Sequence, residues 1–226
     1  MVLSRNFVVH KIIKKLPLSL KKYELKPSYK SFNSQNFINK TNKPQNLDAR
    51  DLKKINYACG KKYLENWLNV DFYYKNSFLI PDKIIYYPVD LTAKHPFPDN
   101  YFEFGFAEDF IEHLQQVDSI IFLNECYRTF KTGGVLRLSF PGLEGVFQKH
   151  YQTMDYETVI KAKEEAFTAY GHFHFYSRDE LRTVAKHIGY REVNFVDYGA
   201  SSFPELNNLD TRKEQIGLNT YVELIK

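Results

Sequence analysis

The stretch that decides the fold is INYACGKKYLENWLNVD, residues 55–71. It contains two short apolar runs, Ile55–Ala58 and Trp67–Asp71, which are typical of buried β-strands. Gly60 follows the first run, and a glycine lets a backbone approach a ligand with no Cβ in between. Asp71 closes the second run, where a carboxylate can accept hydrogen bonds from the two hydroxyls of a ribose. The stretch therefore predicts a nucleoside-type site at the ends of two strands.

The rest of the sequence continues this alternation of strand-like runs and helical segments. Such a pattern is typical of an α/β sheet with mostly parallel strands, whose ligands bind beyond the carboxyl ends of the strands. Polar residues just past the runs, here Gly60, Asp71, Asp90 and Glu108, are then the informative ones. We predict further strands at Ile84–Val89, Tyr101–Ala107, Val135–Phe140, Glu192–Tyr198 and Thr220–Ile225, and helices at Val117–Lys131, Tyr156–Tyr170 and Arg178–Ile188.

Two common phosphate-binding motifs are missing from the sequence. It has neither the G-x-G-x-x-G pattern of dinucleotide sites nor the G-x-x-x-x-G-K pattern of nucleoside triphosphate sites. Their absence counts against NAD(P) and against nucleoside triphosphates as ligands. A nucleoside ligand without pyrophosphate remains.

Four blocks of sequence, in this order, resemble the class I S-adenosylmethionine-dependent methyltransferases, and more closely their type 11 subgroup. Together they cover roughly residues 53–226. The blocks are INYACGKKYLENWLNVD (55–71), VDLTAKHPFPDNYFEFGFAEDFIEHL (89–114), ECYRTFKTGGVLRLSFPGLE (125–144) and GHFHFYSRDELRTVAKHIGYREV (171–193).

The resemblance implies a Rossmann-like methyltransferase fold, with a mostly parallel seven-stranded sheet and an antiparallel strand near its edge. It also implies S-adenosylmethionine as the cofactor and a role for each matching residue. Ala58, Cys59 and Gly60 would wrap the methionine part, Asp71 would bind the ribose, Asp90 and Leu91 would border the adenine, and Glu108 would lie beside the methionine and the methyl acceptor. Asp90 could instead simply form an Asx turn.

Methyl transfer from a sulfonium needs positioning of the acceptor and removal of one proton from it. No nucleophile is required of the protein. We predict Glu108, His113 and His172 as the catalytic residues, and Asp109 and Glu112 are further candidate bases.

The sequence departs from the family pattern at four positions. Alanine and asparagine replace glycines at Ala58 and Asn66, and Asp109 replaces a histidine. Gly142 replaces an aspartate. Asparagine can adopt the left-handed conformation that a glycine might supply. The first three departures motivate an alternative function, a non-catalytic or partner-dependent methyltransferase-like binding subunit.

The charge of the chain is unevenly distributed. Its net charge is +4, but residues 1–50 hold 11 Lys and Arg against 2 acidic residues, so the remainder is acidic. We predict a basic N-terminal extension and linker over 1–50 and a methyltransferase domain over 51–226. The segment FVVHKIIKKLPLSLKKY (7–23) can be a helix docked on the domain, a peripheral membrane contact, or a disordered arm.

The composition also limits which partners and which cellular compartment we expect for the protein. No apolar run reaches the roughly 18–20 residues of a membrane span, and two cysteines cannot form a disulfide framework. A cytoplasmic location is therefore expected, with peripheral membrane contact through the extension as an alternative. Nucleic acid is disfavoured because the body is acidic and has no reading motif. The oligomeric state stays open.

A metal site is not predicted from the sequence. His172 and His174 alternate in GHFHF and would point the same way on a strand, but no cysteine or acid near them in the sequence completes a ligand set. The acceptor is predicted to be a small molecule or a saccharide.

Overall fold

The computed structural model describes residues 52–72, 80–81, 83–153 and 155–226. The basic extension 1–50, with its three interpretations, lies outside these residues. No helix within the described ranges is long and apolar enough to cross a membrane.

The described residues form a seven-stranded sheet with helices. The strands are β1 Lys54–Tyr57, β2 Leu68–Asp71, β3 Ile85–Pro88, β4 Phe102–Glu108, β5 Phe130–Pro141, β6 Glu192–Val196 and β7 Asn219–Ile225. The helices are α1 Gln116–Thr129, α2 Leu143–His150, α3 Tyr156–Lys163, which continues as a π-helix over Glu164–Thr168, and α4 Arg178–Ile188. Short 3₁₀ helices lie at Ile111–His113, Pro204–Leu206 and Lys213–Gln215.

The strand order is β3-β2-β1-β4-β5-β7-β6. Strands β1 to β5 pair in parallel, and β7 lies antiparallel between β5 and β6. The predicted α/β class and the antiparallel strand near the edge are confirmed. The order reverses at β1, which lies between β2 and β4, so β1 marks the point where such sheets bind ligands.

Apolar residues cover both faces of the sheet. The larger core includes Ile55, Val70, Phe122 and Leu138, with α1 and α4 packed against the same face. The smaller cluster on the other face is Trp67, Phe106, Val135, Leu206 and Ile225. Residues 203–209 contribute to this second cluster, so the connection between β6 and β7 folds across the sheet.

Most predicted elements are present, with shifted ends. Helix α4 has the predicted bounds because Ser177 caps it, accepting a hydrogen bond from the Glu180 N–H at 3.1 Å, and Gly189 ends it at φ +122°. Strand β5 begins five residues before the predicted start at Val135. The predicted helix Tyr156–Tyr170 turns π-helical at Glu164, and α2 was not predicted.

Candidate active site

The loop after β1 folds back over the end of β2. Ala58 and Gly60 both have left-handed backbones, at φ +46° and +55°. The Cys59 N–H donates to the Val70 carbonyl at 3.1 Å, and the Lys62 N–H closes the turn on the Cys59 carbonyl at 2.7 Å. The residue that replaces the family's first glycine therefore still adopts a conformation that glycine favours.

Asp71 joins this loop to the end of β2. Its carboxylate accepts hydrogen bonds from the Gly60 N–H at 2.7 Å and from the Phe72 N–H at 2.6 Å, and the residue is only 8% exposed. The structure thus brings together four of the predicted cofactor-binding residues, Ala58, Cys59, Gly60 and Asp71.

Asp90 follows β3, the next strand beyond β2. The Val89 N–H donates to the Asp71 carbonyl at 2.9 Å, so Asp90 lies one strand away from the ribose candidate. Its Oδ1 accepts from the Thr92 N–H at 2.8 Å and from the Thr92 hydroxyl at 2.6 Å, which is the Asx turn weighed above. Leu91 is buried beside it. The contact of Asp90 and Leu91 with adenine stays a prediction.

Glu108, at the end of β4, is held in an ion pair. Lys62 Nζ lies 2.7 Å from its Oε2, and Thr211 donates to it from the N–H at 2.8 Å and from the hydroxyl at 2.6 Å. Burial raises the pKa of Glu108, but the hydrogen bonds from Lys62 and Thr211 outweigh this and bring the pKa below its usual value. A carboxylate held in this way is a weak base.

A buried ionic network fixes the segment that carries Thr211. The Arg137 guanidinium, on β5, is fully buried and forms ion pairs with Asp210 and, at 3.1 Å, with Glu223 on β7. It also donates to the carbonyls of Ala200 at 2.8 Å and Asp197 at 3.3 Å. The charged residue within an apolar strand was visible in VLRLSF, but its partners, far away in the sequence, were not predictable.

Asp109 replaces the family's histidine and stands at the wall of a cavity. Its backbone is left-handed, at φ +50°, and its carboxylate contacts Arg212 Nε at 2.7 Å and the Asn219 side-chain amide at 3.2 Å. Burial raises the pKa of Asp109, and the charge of Arg212 partly offsets the effect. The substitution thus exchanges an imidazole for an acid that pairs with Arg212.

The cavity lies beyond the carboxyl ends of β4 and β5 and has a volume of about 630 Å³. Its described lining includes Asp109, Glu112, His113, His172, Phe175 and Arg212, and Glu108 is not among the described lining residues. Volumes of this size are ordinary for small-molecule sites.

Two of the predicted catalytic residues, His113 and His172, meet at the cavity wall. Their ring centroids lie 4.7 Å apart. His172 Nδ1 contacts the Ala166 carbonyl at 2.6 Å, and burial lowers the pKa of His172, so its imidazole is neutral near pH 7. Their catalytic role stays a prediction, as does that of Glu108.

Comparison with known proteins gives a family match for part of the chain. Residues 67–138 match the family model described as a methyltransferase domain, type 11. Over these residues the sequence is similar to methyltransferase domains, in agreement with the resemblance described above. S-adenosylmethionine, predicted above from the sequence, is the cofactor of this type of domain. No protein of curated function gives a significant match to the sequence.

Solved structures share the fold described above. A SAM-dependent methyltransferase from Archaeoglobus fulgidus is 14% identical, with 99% of this chain and 100% of that chain covered and a TM-score of 0.52. One from Thermotoga maritima is 16% identical, with 77% and 81% covered and the same TM-score of 0.52. One from Mesorhizobium loti is 14% identical, with 77% and 91% covered and a TM-score of 0.52.

Proposed function

We propose that this chain transfers a methyl group from S-adenosylmethionine to a small-molecule or saccharide acceptor. The observation that carries the proposal is the hydrogen bond of 2.7 Å between the Gly60 N–H and Asp71, at the point where the strand order reverses. This hydrogen bond holds the left-handed loop after β1 against the buried carboxylate. A nucleoside with a short charged tail could then place its ribose at the carboxylate and its tail along the loop.

Binding of the cofactor follows from the chemistry of these groups. Each carboxylate oxygen of Asp71 has more than one lone pair, so the two backbone contacts leave it able to accept hydrogen bonds from ribose hydroxyls. The methionine part would lie along Ala58–Gly60, toward the end of β4. The reactive methyl group would then face the cavity beyond β4 and β5, where the acceptor would be bound.

We assign the removal of the acceptor's proton to a residue of the cavity wall, His172. The neutral imidazole of His172, whose pKa burial lowers, can take a proton from an acceptor hydroxyl or amine as the methyl group transfers. Glu108 would orient the site through Lys62 and Thr211 instead of acting as the base. An acceptor held in the cavity would be positioned for in-line displacement at the sulfonium carbon.

Isothermal titration with S-adenosylmethionine and with S-adenosylhomocysteine tests the proposal. Wild-type protein should release or absorb heat with both, and Asp71→Ala should bind about 10- to 150-fold more weakly, the equivalent of roughly 1.5–3 kcal/mol for bonds to a charged group. Glu65→Ala, an exposed position in the same β1–β2 connection, is the matched control. Absence of heat with wild-type protein at millimolar cofactor would refute the function.

A further inference from the structure

Three metal-ligating side chains meet on the cavity wall. Glu112 and His113 belong to the 3₁₀ helix after β4, and His172 belongs to the segment after the π-helix. Each offers one ligand atom, and these three atoms lie within 4.8 Å of one another. The acid missing near His172 in the sequence is therefore supplied by a residue 60 positions earlier.

The Glu112 carboxylate is the unusual member of this cluster. The residue is only 1% exposed, and neither of its side-chain oxygens has a hydrogen-bond partner among the described residues. His113 Nε2 lies 3.8 Å from Oε1, beyond hydrogen-bond distance. A buried carboxylate without donors is costly unless a proton or a cation compensates it.

The backbone holds the cluster together. The Glu112 carbonyl accepts a hydrogen bond from the Phe173 N–H at 2.8 Å, and the His172 N–H donates to the Phe167 carbonyl at 3.0 Å. Thus the two segments that supply the three side chains are joined directly, which favours a fixed ligand geometry.

Both imidazoles are oriented as metal ligands usually are. His113 Nδ1 contacts the Gly171 carbonyl at 3.3 Å, and His172 Nδ1 contacts the Ala166 carbonyl at 2.6 Å. A carbonyl can only accept, so Nδ1 carries the proton in each ring. Each Nε2 then holds a lone pair, the arrangement in which a backbone carbonyl fixes the tautomer of a ligating histidine.

We propose that Glu112, His113 and His172 bind a divalent transition-metal ion, with zinc as the first choice, on the wall of the cavity. Two imidazoles and one carboxylate suit zinc better than magnesium or calcium, which prefer oxygen ligands. Three protein ligands leave a fourth position for water or substrate. All three residues line the cavity, so this position faces the space for the acceptor.

The proposed ion also narrows the class of acceptor, in a step that rests on the proposed function. With the ion bound, Nε2 of His172 is a ligand and no longer the base; a hydroxyl oxygen bound at the fourth position would instead lose its proton to solvent, because the ion lowers its pKa. The site therefore favours an acceptor with a hydroxyl group, which would be methylated on oxygen. Binding of the ion itself does not depend on this step.

Metal titration of the full chain tests the site. Protein treated with EDTA and desalted should bind one equivalent of Zn²⁺ in competition with a colorimetric chelator. Co²⁺ should give the visible absorption of a four- or five-coordinate ion. We expect Glu112→Gln and His172→Ala each to weaken Zn²⁺ binding at least about tenfold, and to lose the Co²⁺ absorption.

His174→Ala is the matched control. His174 lies two residues from His172 but contacts Glu180 at 2.9 Å, and it is not part of the cluster. This variant should bind Zn²⁺ as wild type does. Zn²⁺ should raise the melting temperature of wild type and of this control but not of Glu112→Gln, and circular dichroism of the metal-free proteins checks that all are folded.

Two results would overturn the site. One is wild-type Zn²⁺ affinity no higher than that of Glu112→Gln, and the other is an equal loss of affinity in His174→Ala. Cofactor titration in EDTA separates this failure from failure of the proposed function, because Asp71 ends β2 and Gly60 follows β1, whereas the cluster lies after β4 and after the π-helix. Normal cofactor heat without Zn²⁺ binding would refute the metal site alone.

Discussion

Replacement of Arg137 by methionine is the most demanding test of how the site is supported. Methionine keeps much of the volume but removes every donor of a guanidinium that is fully buried. Asp210 and Glu223, 5% and 1% exposed, would be left as buried carboxylates without their cationic partner. Removing one partner of a buried ion pair typically costs about 3–5 kcal/mol. This is a large share of the roughly 5–15 kcal/mol that stabilises an ordinary domain.

Urea unfolding, followed by circular dichroism, measures this loss. With a slope of about 2 kcal/mol per molar urea, the midpoint should fall by roughly 1.5–2.5 M. The triple variant Arg137→Met, Asp210→Asn, Glu223→Gln leaves no unpaired charge, and should recover most of the loss because replacing a whole buried network is often near neutral. A single-variant loss under about 1 kcal/mol, or a triple variant no more stable than the single one, would refute the reasoning.

Three further predictions concern single positions. Ala58→Gly should raise the free energy of unfolding by about 0.5–1 kcal/mol because alanine is strained at φ +46°; a lower urea midpoint would contradict this. Burial lowers the pKa of His95 to about 4, so its contribution to stability should be lost as pH falls from about 6.5 toward 4, by about 3 kcal/mol in all. His95→Gln should flatten that part of a pH series of unfolding free energies, and identical slopes would argue against it. His172→Ala should reduce turnover more than cofactor affinity, and turnover at the wild-type rate would assign the histidine to packing.

Local patterns were sufficient to predict most of the sheet. Short apolar runs ending in Gly60, Asp71 and Glu108 located β1, β2 and β4, because strand residues buried on both faces leave a continuous signal. Asn66 adopts φ +63°, the left-handed conformation that asparagine was expected to be able to adopt there. These features depend only on residues close together in the chain.

Helix α2 was missed because two glycines make its sequence look like a loop. A Cβ at Gly142 would lie 2.1 Å from Thr220 Oγ1, and one at Gly145 would lie 2.1 Å from the Leu218 carbonyl oxygen. The glycines therefore serve close packing against the start of β7, which also explains why the family's aspartate is absent at Gly142. Nothing in the local pattern reveals a neighbour more than 70 residues away.

Contacts between residues far apart in the sequence limited the prediction of the site in the same way. Thr211 reaches Glu108 across 103 residues, and Arg212 reaches Asp109. Both lie in a connection without a motif, so only the folded chain shows that Glu108 is already paired. The grouping of Glu112 with His172 was hidden for the same reason.

Strand β7 comes last in the sequence but lies inside the sheet, so the sheet cannot be completed until β7 has been synthesised. Arg137 lies on β5, and its partner Glu223 is made 86 residues later. Until then β5 has an open edge, since β7 is the strand that separates it from β6. Contacts at this separation form slowly, and an open strand edge invites pairing with other chains. The five parallel strands can therefore associate early, whereas the closing step depends on a late strand that supplies the second carboxylate of the Arg137 ion pairs. We expect the period before that step to be when the protein is most prone to aggregate.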